Sequence, residues 1–100
     1  MTLRIAQDFQ YESEDWWRWW IWIDGPAQEL DQVKSVVYTL HPTFRDPVRT
    51  VTDRASQFRL ETAGWGTFTI YAKVFRRDGA VVELEHELEL RYPDGRATQA

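Results

Sequence analysis

Apolar and polar residues alternate along most of this chain, and such alternation predicts β-strands. The tryptophan-rich run at residues 16–24 is the strongest case. Its uncharged face is predicted to point into the core: Trp17, Trp19, Ile21 and Ile23. The opposite face mixes tryptophans with charges: Trp16, Arg18, Trp20, Trp22 and Asp24. That face is predicted to be covered in part by cross-strand neighbours, with an exposed interaction patch as the alternative.

The clearest hairpin is predicted between residues 67–77 and 80–91. Its inner positions are Phe68, Ile70, Ala72 and Val74 on one strand and Val82, Leu84, His86, Leu88 and Leu90 on the other. A three-residue turn ending at Gly79 pairs Val74 with Val82, whereas a two-residue turn would place Glu83 in the core. The glutamates at 83, 85, 87 and 89 then form a solvated outer row. His86 is interpreted as a buried, hydrogen-bonded histidine, with a metal ligand as the weaker alternative.

The remaining segments predict further short strands separated by turns. They are a first strand at residues 2–10, an acidic turn at 12–15, a loop to about Gln32, a strand from Val33 to Leu40, a long polar loop from Arg45 to Ser56 and a strand from Gln57 to Thr62 that carries Phe58 and Leu60 inward. Together they predict an all-β, immunoglobulin-like antiparallel β-sandwich of about seven or eight strands. The domain is expected to span residues 1–92, and residues 93–100 to form a polar C-terminal tail or the start of a linker.

Charge and composition argue against several classes of function. A formal net charge of −4 does not favour nucleic-acid binding, although Arg45, Arg49, Arg54 and Arg59 could form a local basic patch. The chain has no cysteine, which excludes disulfides, a thiol nucleophile and thiolate metal sites. No apolar run has transmembrane length, and the N-terminus does not resemble a signal peptide. We therefore expect a cytoplasmic domain without membrane contact, monomeric and able to form part of a larger chain.

No catalytic pattern emerges from the sequence. Ser35 and Ser56 lack the context of a catalytic serine, and the glycines are scattered singly in turns instead of forming a phosphate-binding loop. We expect no enzymatic activity, no cofactor and no metal. Two polar and aromatic clusters remain, HPTF at residues 41–44 and GWG at residues 64–66, and both are predicted to lie where strands end. They indicate a recognition module.

The spacing of these clusters resembles the YEATS domain family. The residues that carry the resemblance are V-x-x-V-x-Y-x-L-H-P-T-F from Val33 to Phe44, the inward Phe58 and Leu60, GWGTF from Gly64 to Phe68, and IWIDG after Trp19. The arginine- and tryptophan-rich version with a DG hairpin is most similar to the prokaryotic branch. The resemblance implies an immunoglobulin-like sandwich whose end loops bind acylated lysine in a peptide, in a bacterial signalling or adaptor protein.

The resemblance also implies the roles of the site residues. Phe44 and Trp65 would sandwich the flat acyl amide. The Trp65 backbone N–H and the Thr43 hydroxyl would donate to the acyl carbonyl, and His41 would orient Thr43 or line the channel. Gly64 flanks the tryptophan, and Gly66 would leave room for the acyl tip. A methyl-lysine cage is the competing use of the same aromatic rings.

One departure from the family concerns the start of the tryptophan-rich strand. Trp16 and Trp17 stand where the family often has Thr or His, so they could add a third aromatic wall or plug the pocket. We assign Trp17 to the ligand-binding set on this basis. The alternative function is an immunoglobulin-like interaction or structural domain in which the aromatic cluster is closed and binds another protein segment, or nothing.

Overall fold

The computed structural model describes residues 3–64 and 66–95. Within these ranges the chain forms strands, one short α-helix and a 3-10 turn. The bounds are β1 Arg4–Ser13, β2 Trp16–Asp24, α1 Ala27–Leu30, β3 Val33–Thr39, β4 Val48–Val51, the 3-10 turn Arg54–Ser56, β5 Leu60–Gly64, β6 Thr69–Arg76 and β7 Val81–Glu87.

The strands form two antiparallel sheets that pack face to face. One sheet has the order β1-β2-β5 and the other the order β4-β3-β6-β7. Fully buried side chains from both sheets meet in a single core, which includes Trp17, Trp19, Ile21, Ile23, Val36, Tyr38, Ile70 and Val74. The predicted all-β, immunoglobulin-like sandwich is therefore confirmed.

The two faces of β2 have the environments that the alternation predicts. Its four uncharged inner side chains are fully buried, whereas Arg18 and Trp16 on the other face are exposed. The guanidinium of Arg59 lies over the Trp20 ring, 5.1 Å from its centroid. Trp20 and Trp22 are only half-buried. The outer face is thus partly covered by neighbours, as predicted, and Trp16 is its most exposed tryptophan.

The β6–β7 hairpin has the predicted register. Val74 pairs with Val82, Ala72 with Leu84 and Ile70 with His86, while Lys73, Tyr71 and Thr69 pair with the outward glutamates 83, 85 and 87. Gly79 has a φ of +90°, which is the left-handed turn conformation that glycine adopts without strain. The position of the turn therefore follows from the need to keep Glu83 out of the core.

Several element boundaries differ from the prediction. The segment after Pro26 contains the helical turn α1 instead of only a loop, and strand β4 interrupts the predicted polar loop. Strand β5 begins at Leu60, three residues after the predicted start, because Gln57 and Phe58 have φ values of 58° and 59°, which a strand cannot accommodate. Phe58 is nevertheless fully buried, as predicted.

The chain remains ordered against the domain as far as Tyr92, whose ring packs on Tyr11 and Trp17. Its hydroxyl donates to the Asp15 carboxylate at 2.6 Å. Tyr92, the last residue of the predicted domain, is therefore packed against β1 and β2. Residues 96–100 of the predicted tail lie outside the described residues, so the domain boundary stays a prediction.

His86 joins the two sheets along the edge where β7 meets β1. Its Nε2 lies 2.6 Å from Gln7 Oε1, and that oxygen also accepts from the backbone N–H of Glu89. Gln7 Oε1 is an amide carbonyl oxygen without a proton and can only accept, so His86 Nε2 carries the proton and donates. His86 is therefore hydrogen-bonded, as predicted, but it is half-buried and not fully buried.

We expect His86 to make the stability of the domain depend on pH near neutrality. Burial lowers the pKa of the His86 imidazole, and the carboxylates of Glu89 and Glu87 oppose this effect. The unfolded chain, in which histidine titrates near about 6.5, therefore binds the proton more tightly than the folded domain does. The free energy of unfolding should fall as the pH drops below that value. Thermal unfolding followed between about pH 7.5 and about pH 5.5 would measure this.

A His86→Gln variant keeps a side-chain N–H that can donate to Gln7, but it does not titrate. Its Tm should change less over this pH interval than the Tm of the wild type. An equal pH dependence in the two proteins would show that another group is responsible.

Candidate functional site

A cavity of about 500 Å³ opens at one end of the sandwich. Three segments converge there: the start of β2, the β3–β4 loop, and the end of β5 with the loop that leads into β6. They meet because Trp17 pairs with Gly64 at one end of the first sheet, while Thr39 pairs with Tyr71 in the second. The described residues that line the cavity are Trp16, His41, Thr43, Phe44, Arg45, Ala63, Gly64, Gly66, Thr67 and Phe68. Its volume is within the range of small-ligand sites.

The β3–β4 loop is held by backbone hydrogen bonds and by one arginine. The backbone N–H of Phe44 donates to the His41 carbonyl at 3.0 Å, which closes a tight turn. The N–H of Leu40 donates to the Pro47 carbonyl at 2.7 Å and brings the ends of the loop together. Arg49 donates through Nη2 to the Arg45 carbonyl at 2.9 Å. The loop is therefore ordered around the cavity by its own contacts.

His41 and Thr43 form a pair with a defined direction of donation. The Thr43 backbone N–H donates to His41 Nδ1 at 3.2 Å, and Thr43 Oγ1 lies 2.8 Å from the same nitrogen. A nitrogen that accepts from the amide carries no proton, so the Thr43 hydroxyl must donate to it and the neutral ring must carry its proton on Nε2. The free lone pairs of Thr43 Oγ1 are consequently available to accept a hydrogen bond.

Phe44 belongs to a cluster of aromatic rings beside the cavity. Its ring centroid is 6.1 Å from that of Trp19 and 5.3 Å from that of Phe68, with interplanar angles of 83° and 55°. Such edge-to-face and tilted contacts are favourable between aromatic quadrupoles. A Cβ on Gly64 would lie 3.6 Å from Phe44 Cζ, an ordinary van der Waals separation, so the Phe44 ring lies directly beside the end of β5. The contacts with the buried Trp19 and the half-buried Phe68 thus fix the orientation of Phe44.

The structure brings five of the seven predicted site residues to one cavity: His41, Thr43, Phe44, Gly64 and Gly66. A Cβ on Gly66 would meet no atom within 4 Å, so open space surrounds that position. Trp65 lies outside the described residues, and its role stays a prediction.

Trp17 is placed differently from the prediction. It is fully buried and is not among the described residues that line the cavity. Its indole N–H donates to the Arg91 carbonyl at 2.8 Å, and its ring packs edge-on against Tyr11. Consecutive side chains of a strand point to opposite faces, so Trp16 and Trp17 cannot both reach the cavity. Trp16 forms part of its wall and is 45% exposed.

Besides Trp16, four lining residues had no predicted role in the site: Arg45, Ala63, Thr67 and Phe68. The alternation placed Phe68 on the inner face of β6, and it does pack against the core while also touching the cavity. Arg45 directly follows HPTF, and Thr67 directly follows GWG within the quoted GWGTF, so their positions next to the two clusters were the available signal. Arg45 carries the only formal charge among the described lining residues when His41 is neutral.

Comparison with known proteins identifies the family. The model of the prokaryotic YEATS domain matches residues 17–89. This chain belongs to the prokaryotic YEATS domain family. The YEATS domain is 38% identical over 77 residues to the protein AF-9 homolog of Saccharomyces cerevisiae, a match that covers 72% of the chain and 33% of that protein. The chain thus spans about a third of the length of this curated relative.

Solved structures share the fold of this YEATS domain. The Yaf9 YEATS domain that recognises an H3K122suc peptide superposes with a TM-score of 0.67 and 25% identity, covering 97% of this chain and 78% of that one. The Yaf9 YEATS domain bound to H3K27ac superposes with a TM-score of 0.69 over 97% of this chain and 79% of that one. At 24% identity, the second likeness shows the fold alone.

Two kinds of feature are absent from the part of this YEATS domain that the structure describes. Within residues 3–64 and 66–95, no three side chains from His, Asp and Glu are grouped so that they could hold a metal ion. Over the same residues, no helix has the length and apolar character needed to cross a membrane.

Proposed function

We propose that this domain is a non-enzymatic reader that binds acylated lysine in a peptide, with the cavity at the end of the sandwich as its binding pocket. The observation that carries the proposal is the convergence of His41, Thr43, Phe44, Gly64 and Gly66 on one open cavity. These residues come from two loops that are distant in the sequence. The succinyl-lysine peptide recognised by the related Yaf9 domain supports the same class of ligand.

In the proposed complex, the acyl amide lies flat against the Phe44 ring, and Trp65 covers its other face. Planar amide and aromatic groups stack well because both are flat and polarisable. The Trp65 backbone N–H donates to the acyl carbonyl. Thr43 accepts from the acyl amide N–H, because its own hydroxyl proton is directed to His41 Nδ1. The resemblance had implied that the Thr43 hydroxyl donates to the acyl carbonyl, whereas in this complex its oxygen accepts from the acyl amide.

The charge of the pocket favours an acylated lysine over a cationic one. An unmodified lysine ammonium would lose its hydration without meeting a carboxylate among the described lining residues, and Arg45 would repel it. A methyl-lysine keeps its positive charge and meets the same repulsion. The methyl-lysine alternative is therefore less well supported than acyl-lysine.

A closed aromatic cluster, the basis of the alternative function, has less support. Phe44, Trp19 and Phe68 do pack on one another. An open space of about 500 Å³ nevertheless lies beside them, and Trp16 forms part of its wall.

Peptide titrations test the proposal. Fluorescein-labelled peptides with a central acetyl-, crotonyl- or unmodified lysine are titrated with the domain, and binding is followed by fluorescence polarisation. We expect the two acylated peptides to bind and the unmodified peptide to bind at least about tenfold more weakly, since its ammonium must be desolvated. The proposal fails if no acylated peptide binds at millimolar protein, or if all three peptides bind equally.

We further propose that the domain serves a bacterial signalling or adaptor protein in the cytoplasm, as one part of a larger chain. The match to the prokaryotic family model supports this setting. Identification of the modified protein that co-purifies with the full-length protein would test it.

A further inference from the structure

The arginines of this domain are almost all engaged by other groups. Nine of the ten lie in the described part of the chain. Eight of these nine either form an ion pair with a carboxylate or donate to a backbone carbonyl: Arg4, Arg18, Arg49, Arg54, Arg59, Arg76, Arg77 and Arg91. Arg45 is the exception, since its guanidinium has no hydrogen bond or ion pair with any described residue. Of the four arginines that could form a basic patch, only Arg45 therefore has a guanidinium without a partner among the described residues.

That charge stands at the candidate pocket. Arg45 follows Phe44 directly and lines the cavity together with Thr43 and Trp16. The other described lining residues are aromatic, hydroxylic or small and carry no carboxylate. The chain as a whole has a net charge of −4, so a positively charged pocket is not a consequence of overall composition.

The backbone of Arg45 is held in place although its side chain is not. Arg49 donates to the carbonyls of both Arg45 and Asp46, and Asp46 has the left-handed φ of 54°. The guanidinium is thus carried on an ordered loop beside the cavity. A bidentate acceptor at the pocket would therefore have to order only the Arg45 side chain, because the backbone that carries it is already fixed.

We infer that Arg45 is a specificity-determining residue that binds a carboxylate of the ligand. This inference rests on the proposed acyl-lysine pocket and narrows its ligand class to acylated peptides that carry a negative charge near the modified lysine. The carboxylate can come from an acidic acyl chain or from an Asp or Glu next to the lysine. Both offer the planar pair of oxygens that matches the fork of a guanidinium.

Matched pairs of peptides that differ by one negative charge separate the two sources of the carboxylate, the acyl chain and the flanking residue. One pair of peptides carries succinyl-lysine and its neutral primary amide, succinamoyl-lysine. A second pair carries acetyl-lysine flanked by Glu or by Gln. Each peptide is titrated against the wild type, Arg45→Gln and Arg4→Gln. The Arg4→Gln control makes the same charge change at the opposite end of the β1–β2 hairpin, where Arg4 pairs with Asp24.

We expect at least one charged peptide to bind the wild type about three- to tenfold more tightly than its neutral partner at low ionic strength. Arg45→Gln should lose that preference, Arg4→Gln should keep it, and added salt should reduce it. A preference for succinyl over succinamoyl assigns the carboxylate to the acyl chain, whereas a preference for Glu over Gln assigns it to the flanking residue.

Two results would overturn the inference: no preference in either pair, or a preference that survives in Arg45→Gln. The neutral acetyl-lysine peptide separates this failure from failure of the proposed function. If that peptide binds wild type and Arg45→Gln alike and no charge preference exists, only the role of Arg45 is wrong. If no acylated peptide binds the wild type, the proposed pocket is wrong and the inference falls with it.

Discussion

Replacing Phe44 with alanine is expected to lower the affinity for an acetyl-lysine peptide by about thirtyfold or more, the size of loss typical of a central aromatic contact at a binding site. The ring forms one wall of the cavity and provides the flat surface on which the acyl amide would stack. Trp19 and Phe68 hold its orientation through edge and tilted contacts. Because Phe44 is half-buried, its loss should destabilise the domain by less than the removal of a fully buried aromatic ring.

Two further variants separate binding from folding. Phe44→Leu keeps apolar bulk beside Trp19 but removes the aromatic face, so it should retain most of the stability and lose most of the affinity. Val48→Ala truncates an exposed side chain at the start of β4, close in the sequence, and should change neither property. Polarisation titrations and circular dichroism would measure both. A folded Phe44→Ala domain that binds as tightly as the wild type would contradict the proposed pocket.

The parts of the fold that were predictable share one physical cause. In β7 and β2 the Glu, Asp and Arg residues all lie on the outer face, so a shift of one residue would bury a carboxylate or an arginine. This penalty selects one register. The prediction therefore reached individual pairs such as Val74 with Val82 and Lys73 with Glu83, all of which the structure contains.

Other features depend on contacts that a local pattern does not contain. Strand β4 is short and lies within a mostly polar segment, and it forms by pairing residues 48–51 with the edge of β3 at Val36–Thr39. Gln57 and Phe58 turn into the left-handed region, which is unusual for a bulky residue. The buried Tyr38 hydroxyl stabilises that turn by donating to the Phe58 carbonyl at 2.7 Å. The left-handed turn thus depends on a hydrogen bond from a residue distant in the sequence, which the local residue types do not indicate.

The lining residues of the candidate site were predictable where they lie in HPTF or GWG, and less predictable elsewhere. HPTF and GWG placed five lining residues correctly at the ends of strands. Trp17 was assigned to the site because of its position in the family pattern, although its phase in β2 already pointed inward. The phase of the strand was the more reliable guide, and it also indicates why Trp16, the adjacent residue, lines the cavity. Arg45 could be singled out only after the partners of every other described arginine were known.

Replacing Trp17 with alanine is expected to destabilise the domain more than any change at the cavity. The side chain has no solvent exposure, packs against Tyr11 and Tyr92, and donates to the Arg91 carbonyl. Removing a fully buried tryptophan costs about 3–5 kcal/mol, a large part of the roughly 5–15 kcal/mol that stabilises a typical domain. Tm should fall by more than about 12 °C for a domain of this size. Thermal and urea unfolding followed by far-ultraviolet circular dichroism would measure the change.

The neighbouring Trp16→Ala is the matched control, because it removes the same side chain from the exposed face of the same strand. It should change the stability by less than about 1 kcal/mol, as expected for a surface position. Trp17→Phe keeps an aromatic ring in the core but loses the hydrogen bond to Arg91, so it should fall between the wild type and Trp17→Ala and remain measurable if the alanine variant does not fold. Equal destabilisation by Trp16→Ala and Trp17→Ala, or a Trp17→Ala domain as stable as the wild type, would contradict the assignment of Trp17 to the core. In that case the opposite roles of these two adjacent tryptophans, one in the core and one at the cavity, would have to be reconsidered.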